Sequence, residues 1–165
     1  MYKALQRKIP YVLGFLLLVS CQTAEPTPLP ISTFTDPDKE LTQAVRQAQD
    51  SLYVLRQEFL APKQAYSMMS VKVRFAANGE VEDMWTEPVL ILDNVYTVRM
   101  VEGVTLKPGI HPNRLVDVKP QDIVDWMLME DDGTVHGGYT IRLEYERMTP
   151  EQQNKFLEVT GYKFD

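Results

Sequence analysis

The chain has 165 residues, with 23 acidic and 17 basic side chains and a net charge of −6, a balance that argues against nucleic acid and against peripheral binding to anionic lipid headgroups. Its one cysteine, Cys21, rules out a disulfide within the chain, so an exported form must be held together by its core alone. The length suits one domain plus a linker, at ~100–150 residues per domain.

The N-terminus has three parts. Lys3, Arg7 and Lys8 give a positive start, Val12 to Val19 an apolar run, and Ser20-Cys21 a small-residue boundary. This is the layout of a secretory signal peptide, and the run is shorter than the ~20 apolar residues that span a bilayer. Leu18-Val19-Ser20-Cys21 resembles the bacterial lipobox. That resemblance implies cleavage after Ser20 and a diacylglycerol on the Cys21 thiol, so residues 1–20 are expected to be a lipoprotein signal peptide. Loss of Lys3, Arg7 and Lys8 leaves 14 basic residues against 23 acidic, a net charge of −9 that suits a basic protein partner. The acyl chains would hold the protein to a membrane, facing the periplasm or the cell exterior. Glutamine rather than aspartate at position 22 leans towards the outer membrane if the envelope is Gram-negative.

Residues 21–37, with Pro26, Pro28, Pro30 and Pro37, read as an extended tether. A helix is expected to follow, capped by Asp36 with Pro37 at its first position. Its apolar stripe is Leu41, Val45, Ala48, Leu52, Leu55 and Phe59, and Pro62 stops it. The stripe is too short for a coiled coil and suits packing on the chain's own sheet. Val71, Val73 and Phe75 alternate with Lys72 and Arg74 as a half-buried strand. Asn78-Gly79 turns it into Val81 to Leu92, with Pro88 marking a bend, bulge or edge. Asp93-Asn94 leads into Val95 to Val101, and Lys107-Pro108-Gly109 is a further turn. Leu115 to Val118 is a short strand, Pro120 opens one helical turn through Ile123, and Asp125 to Met129 is strand-like. Asp131-Asp132-Gly133 turns the chain, and Tyr139 to Tyr145 alternates as another half-buried strand. Thr149, Pro150 and Gln152 start a final helix, with Phe156, Leu157 and Val159 to bury and Gly161 to end it. The sum is an α+β fold, an N-terminal helix packed on one curved antiparallel sheet with a short C-terminal helix.

Three blocks stand out, Ile123-Val124-Asp125-Trp126-Met127, Asp132-Gly133, and His136-Gly137-Gly138-Tyr139-Thr140-Ile141-Arg142, and the Asp-Trp-Met and Gly-Gly-Tyr-Thr-Ile-Arg strings in the first and last are specific. Ahead of them come an alanine-rich helix (Ala44, Ala48, Leu52, Phe59), Glu82 three residues before Trp85, and the Lys107-Pro108-Gly109 turn. Together they resemble a bacterial family of unknown function, the YegJ-like domain of unknown function 2314, over nearly all of the chain after the tether. The departure is Asp83, where the family pattern has a histidine beside the glutamate. The resemblance places residues 38–165 in one domain of that family and implies no assigned activity.

Direct chemical signals are few. His111 and His136 have no partner at a metal-ligand spacing, so no metal is expected. His111 sits in a Pro/Gly turn, whereas His136 precedes Gly137-Gly138, a pair that permits either a tight bend into the next strand or close approach of a ligand or another strand. Glu130-Asp131-Asp132-Gly133 lacks the spacing of a calcium loop and reads as a turn. Nucleophile-elbow, phosphate-loop and dinucleotide motifs are missing, and no cofactor is implied. Glu82, Asp125 and Arg142 remain, as a charge-assisted network that either ties the scaffold or lines a pocket with Trp85, Trp126 and Tyr139.

These readings favour a lipid-anchored binding or accessory module of the cell envelope over catalysis. A narrower form of it is an immunity-type antagonist of a protein toxin. An enzyme would need Glu82, Asp125, His136 and Arg142 to converge in one cleft.

Overall fold

The computed structural model describes residues 38–164. Cys21, the tether and the expected Asp36-Pro37 helix start lie outside them.

Helix α1 spans Lys39–Leu60. Its cap is Asp38 rather than the expected Asp36, because the Asp38 carboxylate is the one that accepts from the first free amides, those of Glu40 and Leu41. The face it buries carries Ala44, Ala48, Leu52, Leu55 and Glu58, while Leu41, Val45 and Phe59 are half-buried. The stripe is therefore displaced from the expected one by its choice of Ala44 over Val45. Alanine at 44 and 48 lets the helix lie close to the sheet.

Six strands follow: β1 Met68–Ala77, β2 Glu80–Leu92, β3 Val95–Met100, β4 Leu115–Val118, β5 Ile123–Met129 and β6 Val135–Gly137. They form one open sheet in the order β4-β3-β2-β1-β5-β6, with every neighbouring pair antiparallel. The Asn78-Gly79 and Asp93-Asn94 turns both place two residues at positive φ, as tight two-residue hairpins require. Pro88 introduces a bulge: the β2–β3 register shifts between Pro88 and Leu90. The expected turn at Pro120 is one 3-10 turn, Pro120–Asp122.

One sheet face carries Val71, Val73, Phe75, Tyr96, Val98 and Met100 into the core against Ala48, Leu52 and Leu55 of α1. Each such large side chain contributes roughly 1.5–3 kcal/mol on burial. The opposite face carries Lys72, Arg74, Asp83, Trp85, Glu87, Thr97 and Arg99, which alternate with the core residues along the paired strands.

The segment expected as a strand over Tyr139 to Tyr145 is helix α2, Tyr139–Glu146. Two features override the alternation. Gly138 adopts φ 66°, which turns the chain away from β5. Asp125 of β5 then accepts from the first amides of the helix. Leu143, Glu144 and Glu146 are also good helix formers. Helix α2 occupies the edge of β5 that a longer β6 would have taken.

Helix α3 spans Pro150–Thr160, with the expected reciprocal cap between Thr149 and Gln152 and left-handed Gly161 at its end. Phe156 packs with Tyr145, Tyr162 and Phe164. Val159, expected to be buried, is 76 % exposed, because α3 turns only its Phe156 side to the domain. The C-terminal segment returns to the sheet through Lys163, whose amide donates to the Gly133 carbonyl and whose carbonyl accepts from Val135.

Candidate functional site

Most of the singled-out residues meet where β5, β6 and α2 join. Asp125 is fully buried. Its Oδ1 accepts from the Trp126 amide at 2.8 Å and the Tyr139 amide at 3.1 Å. Its Oδ2 accepts from the Thr140 amide at 2.8 Å and the Thr140 hydroxyl at 2.7 Å. Gly138 has no side chain to cap α2, so a carboxylate from the neighbouring strand does it. Burial pushes the Asp125 carboxyl up from its ordinary value, against the pull of the Thr140 hydroxyl and the amides.

The network extends to a residue that sequence reading left on the polar side of a strand. Lys72, directly across from Asp125 in the β1–β5 register, donates to Thr140 Oγ1 at 3.3 Å and to Glu144 Oε1 at 3.2 Å. Its ammonium lies 5.7 Å from the centre of the Trp85 ring, its partner across β2. Trp85 thus joins the corner through Lys72, on the sheet face turned away from α1.

Trp126 faces the core. Its indole N–H donates to the Ala48 carbonyl at 3.0 Å and to Ser51 Oγ at 3.1 Å, bolting α1 to β5. Tyr139 meets its ring edge-on, with centroids 6.2 Å apart. Gly137 and Gly138 both have positive φ, and a Cβ on Gly137 would strike the Trp126 carbonyl and ring. The close approach expected of the glycine pair is therefore made to another strand.

Arg142 was expected to tie down Asp125 or Glu82, yet both carboxylates are bound by other donors. Arg142 Nε donates to the Gly137 carbonyl at 2.9 Å and Nη2 to that of Val135 at 2.5 Å, with the guanidinium 4.9 Å from the centre of the Phe164 ring. It fastens α2 to the strand before it. His136 Nε2 lies 2.6 Å from Glu130 Oε1, which also accepts from Gln64. His111 is exposed in the loop after β3.

Glu82 is not part of this corner. Its carboxylate accepts from the Thr105 and Leu106 amides at 3.1 and 2.9 Å, latching the loop after β3, and those two bonds hold its carboxyl below the usual range. No group of three His, Cys, Asp or Glu side chains that could hold a metal occurs among the described residues.

On the open sheet face lies a groove of about 570 Å³, with Met68, Met69, Ser70, Trp85, Glu87 and Val101 in its lining. Cross-strand ion pairs flank it. Arg74 clasps Asp83 through two bonds of 2.8 and 2.7 Å, and Arg99 holds Glu87 at 2.8 Å. The methionines and Val101 carried no motif, and only strand register could have brought them beside Trp85.

Fold and corner define a small α+β domain on one open antiparallel sheet, with the buried Asp125 and Thr140 committed to holding α2 to that sheet. The chain belongs to the domain of unknown function 2314 family, described as an uncharacterized protein conserved in bacteria, which matches residues 38–164. No curated protein and no solved structure matches it.

Proposed function

We propose that this protein is a non-catalytic binding module held at the bacterial cell envelope by a lipid on Cys21. Residues 1–20 are the signal peptide, 21–37 the tether and 38–165 the binding domain. The observation that carries this reading is the employment of the candidate catalytic groups. Asp125 caps α2, Glu82 latches a loop, Arg142 bonds two backbone carbonyls and His136 faces Glu130. Each works on the scaffold, and Glu82 acts at a different place from the other three. A toxin antagonist is a narrower form of the same reading, favoured by the net charge of −9 that remains once residues 1–20, with Lys3, Arg7 and Lys8, are removed.

The test is crosslinked capture from native membranes in mild detergent, beside a Cys21→Ala control. One stoichiometric protein partner, released by high salt, is the expected result. Turnover of a small molecule that Glu82→Gln and Asp125→Asn both abolish, with the fold intact, would replace this reading with catalysis. Palmitate labelling that survives Cys21→Ala would remove the anchor.

A further inference from the structure

We propose that the open face of the sheet, from the Trp85 groove to Leu90, Leu92 and Leu115, docks an extended basic segment of a protein partner in which cationic and apolar side chains alternate. The inference rests on the binding-module reading and names its surface. Three observations carry it.

The face is apolar beyond what an unpartnered sheet needs. Val101 is 63 % exposed at the groove, and Leu90, Leu92 and Leu115 are 51, 61 and 52 % exposed further along. Register places all of them on this side. Leu90 pairs with Thr97, Leu92 with Val95 and Leu115 with Arg99, and these alternate with the buried Tyr96, Val98 and Met100. These apolar side chains are spread from β2 to β4 with the Arg99–Glu87 and Thr97–Asp117 contacts among them, a mixed surface that fits a protein segment.

The charges on it are unevenly satisfied. Lys72, Arg74 and Arg99 are each matched, by Glu144, Asp83 and Glu87. Glu102, at the groove wall, is exposed and makes no hydrogen bond or ion pair among the described residues. Asp117 has the Thr97 hydroxyl at 2.7 Å in place of a cation. The Arg99–Glu87 pair is itself half-exposed and readily exchanged for an incoming cation. The excess is negative, so the complementary partner is basic.

An unpaired stretch of strand edge selects an extended partner. β1 residues 68–70 pair with β5 alone, because the β1–β2 register begins at Val71. The groove opens where β2 leaves β1, and its flexible methionines accommodate varied apolar side chains.

The probe is a short peptide alternating lysine and valine, with a glutamate–valine control, titrated into the full-length chain in mild detergent. Trp85 is the reporter, since Trp126 is buried with its indole bonded to α1. We expect saturable change in Trp85 emission with the lysine peptide, lost at high salt and absent in Trp85→Phe. Amide-exchange protection should fall on β2 to β4 and residues 101–102. Val101→Ser with Glu102→Lys, both at exposed positions, should weaken binding at least tenfold. Equal binding of the glutamate peptide, protection confined to α1 or α3, or full affinity in the double variant would each overturn the proposal. Membrane capture separates the two readings. The same partner caught by wild type and double variant removes this face and keeps the module; a partner caught by neither removes both.

Discussion

Replacing Asp125 with alanine strips four acceptor contacts from a fully buried site. The orphaned amides at the start of α2 and the loss of the cap should lower stability by about 2–4 kcal/mol in urea denaturation. Asparagine keeps one acceptor oxygen and should cost less. The pH response has two windows of opposite sign. Burial raises the Asp125 carboxyl, so the native state holds this proton longer than the unfolded chain, and its contribution falls as pH rises above 3.8. Asp38 and Asp132 are drawn down from 3.8 to about 2, chiefly by the Arg147 side chain and the Thr134 amide respectively. Their contributions are present above 3.8 and lost as pH falls towards 2. Urea midpoints against pH should therefore drop on the acid side, and Arg147→Gln should flatten that drop. Asp125, Trp126 and Arg142 were legible as residues of consequence from the Asp-Trp-Met and Gly-Gly-Tyr-Thr-Ile-Arg blocks that hold them. Lys72 and Thr140 were not, because the contact between them joins residues 68 positions apart. In a strand, a lysine between two valines looks the same whether it meets water or a helix end.

Gly137→Ala tests how β6 hands over to α2. The added methyl would meet the Trp126 carbonyl and ring at a φ of +72°, so the cost should exceed about 2 kcal/mol. Its readout is the urea midpoint together with Trp126 emission, which a displaced ring would shift. Thr149→Ala removes the reciprocal cap of α3 and should cost about 1 kcal/mol. Faster amide exchange confined to α3 would locate that loss. Hairpins, the α3 cap and long strands were readable, since Asn-Gly, Thr-Pro-x-Gln and alternation each report local physics. Helix α2 was misread as a strand because its start is fixed by a carboxylate from another element. Local alternation over seven residues cannot register a cap supplied from β5.

At the scale of the molecule, a protein of this design should travel with membranes only through its N-terminus. Cys21→Ala should move it from the membrane to the soluble fraction, while urea unfolding of the domain stays unchanged. The family was readable from two short blocks, and the residues in them prove to be the joint between sheet and helices. The partner-facing surface was not readable, because which side of β2 to β4 turns from the core is set by packing against α1 and by a register that shifts after Pro88. Asp38 adds a mechanical consequence. It is the first residue of the family match, where the proposed tether would join, and with Glu40 it grips Arg147 just beyond α2, at 2.6 and 2.7 Å. A pull transmitted from the membrane would enter at that point and be shared at once between both helices. The clasp would act as a strain relief, keeping tension on the stalk from peeling α1 off the sheet one turn at a time.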